Sequence, residues 1–226
     1  MSARVIRGEG PKSTMTKWTY RKKALPFLSK DFEKKCAYCL DPDELRHPNQ
    51  THVDHFDCKL PEKRRHRYKN LMLACSACNV SKLDKPVVNH YNPKLRILNC
   101  TEENEFQGHI LEDDDGQWIG ITAEGVYHLE VLNLKEECHR KKRKMRRGIA
   151  EQIYNLCSTA IQYQSQNPVE THRALMETVR QMLNDIDNFP PLITENGPVS
   201  VKVWMQQKGI DLNQPELALF TEATIR

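Results

Sequence analysis

The chain lacks any apolar run approaching the ~18 residues of a membrane-spanning helix. Its opening, Met1-Ser2-Ala3-Arg4, has no apolar stretch of the kind a secretory leader carries. Internal repeats and low-complexity tracts are absent too, so nothing marks a repeat architecture. With 38% hydrophobic and 28% charged residues and a mean hydropathy of −0.70, the composition is that of a soluble globular protein. The expected location is the cytoplasm, with no membrane partner. What is present is 226 residues, enough for one good core or a small module plus a helical region.

Net charge is only +4, but it is unevenly spread. Residues 1–35 carry ten Lys/Arg against three Asp/Glu, residues 59–69 six against one, and residues 139–147 seven against none. Residues 168–226 reverse the sign, five against eight. The first two-thirds therefore suit a polyphosphate partner. Lys63, Arg64, Arg65, Arg67 and Lys69 of the second run, and Arg140, Lys141 and Arg143 of the third, are the expected nucleic-acid contacts.

Turn and periodicity signals divide the chain into four parts. Residues 1–30, with Gly8, Gly10, Pro11 and Pro26 and no clear period, read as an arm. Residues 31–92 read as a compact module: a short helix at 31–36, a loop at 41–50, a strand from Thr51 to Phe56 and a basic loop at 57–68. A second strand follows from Asn70 to Ala74, and then a helix opened by Asn79 that Pro86 stops. Residues 93–134 hold a hairpin, Phe106–Leu111 and Trp118–Ile121 joined through Asp113-Asp114-Asp115-Gly116, then a short helix after Thr122 with Leu129 and Leu132 inward. Residues 135–226 read as mainly helical. Ile149, Ile153, Leu156, Ala160 and Ile161 have helical spacing, as do Leu175, Val179, Met182, Leu183 and Ile186. Val199 to Gln207 reads as a final short helix or strand.

Eight cysteines occur, and four of them pair locally as Cys36/Cys39 and Cys75/Cys78. Each Cys-x-x-Cys turn converges two sulfurs on one ion, and two turns supply the tetrahedral set of four sulfurs that zinc prefers. A hairpin inserted between the turns accounts for the long gap between Cys39 and Cys75. Inside that framework lie Val53-Asp54-His55, Asn70-Leu71, Asn79 and Lys82. Phosphodiester hydrolysis needs a water made nucleophilic and a sink for charge on the phosphate. A neutral imidazole supplies the base. The Asp54 carboxylate and the Asn79 amide are the hard oxygens that a divalent cation takes. On a strand, Asp54 and His55 point to opposite faces, so one site requires the strand to end or bend there.

These residues, Cys36-Ala-Tyr-Cys39, Val53-Asp54-His55-Phe56, Asn70-Leu71 and Cys75-Ser-Ala-Cys78-Asn79-Val-Ser-Lys82, resemble the HNH endonucleases of the His-Me finger (ββα-metal) superfamily. The resemblance implies an α+β fold: a ββα-metal finger with a four-cysteine zinc site, a β-hairpin insertion and a mainly helical C-terminal region. It implies His55 as general base, Asp54 and Asn79 as ligands of Mg²⁺ or Mn²⁺, and Asn70 as a structural residue pinning the loop that orients His55. It also implies zinc as a structural ion on Cys36, Cys39, Cys75 and Cys78, and Lys82 as a phosphate contact or a cover for the helix. The last His of the family name is replaced by Asn79. His90, beyond Pro86, is the reserve candidate, and His52 an edge residue. More loosely, residues 1–150 resemble bacterial anti-phage PtuB-type HNH proteins of Septu and retron-linked systems. That likeness rests on Arg4-Val5-Ile6-Arg7 with Pro11, Asn92-Pro93, the Asp115-Gly116 hairpin and Val131-Leu132-Asn133-Leu134. It implies an ATPase partner, for which the acidic C-terminal region is the expected dock.

Three readings stand at this point: a metal-dependent endonuclease that cuts DNA; a zinc-stabilised nucleic-acid-binding module without hydrolytic activity; and an effector subunit, inert alone and licensed by its partner, that cuts RNA instead of DNA.

Overall fold

The computed structural model describes residues 5–42, 51–102, 106–164, 174, 177–179, 181–182, 191–194 and 197–212. Among them the elements run α1 (Tyr20–Asp31), β1 (Thr51–His55), α2 (Glu62–Arg65), β2 (Leu71–Cys75), α3 (Ser76–Lys82), β3 (Ile110–Glu112), β4 (Trp118–Gly120), α4 (Ala123–Val131), α5 (Glu137–Gln164), β5 (Leu192–Thr194), β6 (Gly197–Val199) and α6 (Val201–Gln207). The strands form three separate antiparallel hairpins, β1–β2, β3–β4 and β5–β6. None of the helices is long and apolar enough to cross a membrane. The architecture is α+β.

The β1–β2 hairpin is the platform of the site. Its register sets Val53 opposite Leu73, Asp54 opposite Met72 and His55 opposite Leu71. All five residues of β2 are buried, which is why Leu71-Met-Leu-Ala-Cys75 reads as an unbroken apolar run instead of an alternating one. Helix α1 packs on both strands and buries Ala24 and Leu28, one turn apart on one face.

Helix α1 lies where an arm was expected, and no helix forms at 31–36. Pro26 sits inside α1, and the packing of Ala24 and Leu28 offsets the hydrogen bond it removes. The chain then turns through Glu33 and Lys34, both at positive φ. The residues before α1 are also docked: Arg7 donates to the Tyr68 and Leu71 carbonyls and lies over the rings of Phe32 and Tyr68. The expected basic loop contains α2, which begins after Pro61, a residue whose fixed φ suits a helix entrance. Helix α3 starts three residues before Asn79, because the Cys75 sulfur accepts the Cys78 N–H and caps it. It ends at Leu83, at positive φ, before Pro86 is reached. The loop expected at 41–50 lies outside the described residues beyond Pro42.

The second hairpin is close to expectation. Asp113 accepts the Gln117 N–H, and Gly116 holds a positive φ where a Cβ would meet the Lys144 backbone nitrogen at 2.4 Å. That glycine lets the turn lie directly on α5. The contact is locked by charge: Glu112 accepts from the Trp118 indole (2.9 Å) and from Arg146 (2.6 Å), both buried. Thr122 caps α4 by accepting the Gly125 N–H, and Leu129 and Leu132 are fully buried. Helix α5 buries Ala150, Ile153, Cys157 and Ala160 in a second core with Val179, Leu192, Val199, Val201, Trp204 and Met205. Of the helix expected at 170–187, residues 174, 177–179 and 181–182 are helical, while Leu175, Leu183 and Ile186 lie outside the described residues. The stretch from Val199 divides between the end of β6 and α6.

Candidate metal centre and active site

The four sulfurs of Cys36, Cys39, Cys75 and Cys78 lie within 4.8 Å of one another, all buried. Cys39 and Cys75 are 3.9 Å apart, close to the ~3.8 Å edge of a tetrahedron with zinc–sulfur bonds of about 2.3 Å. Backbone N–H groups of Cys75 and Cys78 donate to the sulfurs of Cys36 and Cys75, each at 3.3 Å. The neighbouring thiols push Cys75 far toward the thiolate, while Cys39 and Cys78 are held protonated. Four converging, buried sulfurs are a donor set that fits a soft divalent cation. The turn between Cys36 and Cys39 is tied to β2 through the Ala37 N–H and the Leu73 carbonyl. The hairpin thus positions both thiol turns, Cys75 lying at the end of β2 and the first turn bound to its middle.

A second grouping, Cys39, Asp41 and His139, shares Cys39 with the first. Lys142 lies 3.7 Å from Asp41 and balances its charge, so this cluster joins α5 to the thiol turn. Beside it His128 of α4, fully buried, accepts the Leu98 N–H (3.0 Å) and reaches the Tyr38 carbonyl (3.4 Å). Burial lowers its pKa to about 3.

Asp54 and His55 leave β1 on opposite faces. The Asp54 carboxylate is buried, receives the Tyr38 hydroxyl and pairs with Lys82 at 2.9 Å. Burial raises its pKa, against the pull of Lys82 and Tyr38. His55, half-buried, lies 4.6 Å from the Tyr20 ring centroid, and its Nε2 is 3.0 Å from Nδ1 of His66. Burial first, then the charges of His66, Arg65 and Lys82, lower its pKa to about 4, so the imidazole is neutral near pH 7. Lys82 links the two faces: its ammonium also donates to the His55 carbonyl at 2.7 Å. Asn79, on α3 against β1, is half-buried. Its side chain makes no hydrogen bond among the described residues.

Asn70 is nearly buried and fully used. Its amide nitrogen donates to the Asp57 and Arg65 carbonyls, and its oxygen accepts the Asp57 N–H. It thereby ties the segment after His55 to the end of α2. His52 contacts Ser76 (3.1 Å) and Arg21 (3.4 Å), and the exposed His90 packs on Tyr91 instead of joining the site.

Of the basic residues, Lys63, Arg64, Arg67, Lys69 and Lys141 are exposed. Arg65 is half-buried and donates to the Leu60 carbonyl. Arg140 is bound to Glu137 by two 2.7 Å bonds. Two expectations are corrected. Lys82 is wholly buried, spent on Asp54 and the His55 carbonyl. Arg143 is buried, donates to the Gly116 and Leu134 carbonyls and lies over Trp118. Neither reaches the surface to meet a phosphate. His66 and Tyr20 were not singled out in the sequence, where His66 is hidden in a basic run and Tyr20 lies in the apparent arm.

A hairpin and a following helix clasped by four thiols, with an imidazole at the end of the first strand, define a small ββα unit with a four-cysteine metal centre. The family model described as HNH endonuclease matches residues 36–85. That segment is an HNH endonuclease domain, which supports a nuclease-type function and implies a nucleic-acid substrate. No curated protein matches the chain.

Proposed function

We propose that the protein is a metal-dependent endonuclease that cuts DNA, with His55 as general base. The observation that carries this reading is the neutral, half-buried imidazole held against Tyr20 and His66, with Nδ1 free of hydrogen bonds among the described residues. The exposed Lys63, Arg64, Arg67 and Lys69 flank it on and around α2, where they suit the phosphates on either side of the cut. Arg65 lies half-buried at the end of α2, and Arg140 and Lys141 lie on α5, apart from it in the chain. A water bound at Nδ1 gives its proton to the imidazole as its oxygen attacks phosphorus. The bond to the 3′ oxygen breaks, that oxygen takes a proton from solvent, and a 5′-phosphate end is left. Asn79 offers an amide oxygen with no hydrogen bond among the described residues, and it would be a hard donor to Mg²⁺ or Mn²⁺, which would supply positive charge to the phosphate and the leaving oxygen. Asp54, the other expected donor, is buried on the face of β1 opposite His55 and bound to Tyr38 and Lys82, so it would have to leave both partners to bind that ion. Cys36, Cys39, Cys75 and Cys78 would hold structural zinc.

The finer reading is an anti-phage effector acting with an ATPase. It is supported by the likeness of residues 1–150 to PtuB-type proteins and by the acidic charge after residue 168. Co-expression with such an ATPase and loss of co-purification on truncation before residue 168 would test it.

The test of the hydrolytic reading is plasmid nicking by the purified, zinc-loaded protein with Mg²⁺ or Mn²⁺. His55→Ala should lower the rate by about 10²-fold or more while zinc content is unchanged. Nicking at the wild-type rate by that variant would overturn the role of His55. DNA binding without nicking by the wild type would favour the binding-module reading.

A further inference from the structure

Two imidazoles 3.0 Å apart, Nε2 of His55 to Nδ1 of His66, share one proton in that hydrogen bond, and there are two ways to place it. If His66 Nδ1 carries it, His55 Nε2 accepts, and the one N–H of neutral His55 sits on Nδ1. That arrangement leaves His55 no lone pair for a water. If His55 Nε2 carries it, His66 Nδ1 accepts and His55 Nδ1 is free to take a proton.

His66 is built to hold this contact. It is buried at the C-terminal end of α2, with its ring stacked on Tyr20 at 5.0 Å and 21°. Tyr20 packs on His55 as well, so one aromatic face fixes both imidazoles. Asn70 sets their backbone spacing, since its amide spans the carbonyls of Arg65, one residue before His66, and Asp57, two residues after His55. Among the described residues no carboxylate bonds to His55. The cations Arg65 and Lys82 act on it electrostatically, and the group bonded to its ring is a second imidazole.

We propose that His66 is the positioning residue for His55, holding it as the Nε2–H tautomer with Nδ1 turned to the substrate water. This rests on the reading of His55 as general base.

Full-length, zinc-loaded protein tests it with two substitutions. His66→Phe keeps an aromatic ring for Tyr20 but removes the hydrogen bond. His66→Asn keeps a hydrogen-bonding atom near the position of Nδ1. In single-turnover DNA cleavage, His66→Phe should be slower by about 10–100-fold, the size of effect expected when an orienting partner is removed. DNA affinity and zinc content should not change, and His66→Asn should regain most of the rate. Imidazole ¹⁵N NMR of the wild type should show His55 protonated on Nε2, and His66→Phe should mix its tautomers. Full-rate cleavage by His66→Phe, or wild-type His55 protonated on Nδ1, would overturn the proposal. If either variant loses zinc, the NMR assignment on the wild type decides. If the wild type cuts no DNA, the endonuclease reading fails while the NMR still tests the tautomer.

Discussion

The Asp54 carboxylate and the Lys82 ammonium meet at 2.9 Å with both side chains almost wholly removed from water. A buried pair of this kind adds little net stability over an apolar pair, but breaking it strands a charge. Lys82→Met should therefore destabilise the protein by about 3–5 kcal/mol, read from urea midpoints at fixed zinc. Asp54→Asn with Lys82→Met should recover most of that loss. Strict additivity of the two single substitutions would refute the coupling. The spacing of Asp54, His55 and Asn79 was legible because motif residues lie close in sequence, and strand alternation foretold the opposite faces. The partners were not legible. Tyr38 reaches Asp54 from inside the first thiol turn, and His66 reaches His55 from a helix that a run of Lys and Arg disguised. A basic run reads as surface, yet long aliphatic stems allow Lys82 and Arg143 to be buried once their charged ends find acceptors.

At the level of elements, β1, β2 and the Asp-Gly hairpin were legible because apolar runs and turn residues act locally. Helix α1 was not, since its order comes from packing of Ala24 and Leu28 on a hairpin formed later in the chain. The joint between α4 and the thiol turn is also tertiary: His128 accepts from Leu98 and reaches the Tyr38 carbonyl. Burial lowers the His128 pKa from 6.5 to about 3 in the fold. The folded state thus resists a proton that the unfolded chain accepts. The stability given by neutral His128 is complete above about pH 6.5 and shrinks as pH falls toward 3. His128→Leu should cost about 1–3 kcal/mol at pH 7.5, because it orphans the Leu98 N–H. The gap between variant and wild type should narrow at pH 5, measured by urea unfolding with zinc content monitored at both values. A gap constant with pH would show that the imidazole is not the titrating group.

Across the whole molecule, two buried cores divide the work. One contains all four clustered thiols together with α1, β1–β2, the second hairpin and α4. The other is built on the later part of α5, Val179, β5, β6 and α6. Helix α5 spans both, gripping the hairpin through Arg143 and Arg146 and packing Ala150 to Ala160 into the second core. The ββα unit has little apolar interior of its own, and structural zinc contributes on the order of 10 kcal/mol to such modules, comparable with the whole stability of a domain. The second core holds no member of the thiol set. Removing the metal with a strong chelator under reducing conditions should therefore open the molecule unevenly. Amides of residues 36–42 and 51–82 should lose protection from hydrogen exchange first, while those of residues 150–161 and 197–210 keep theirs. Nuclease activity should be lost with the first group and return only when zinc is restored before Mg²⁺. Mg²⁺ alone fails in this scheme, because it prefers hard oxygen ligands and cannot replace a thiolate-bound ion. Equal loss of protection in both cores would mean that α5 couples them into one cooperative unit. Unchanged protection at 36–82 would mean that the thiol turns hold without metal, and that β1–β2–α3 stands on packing alone.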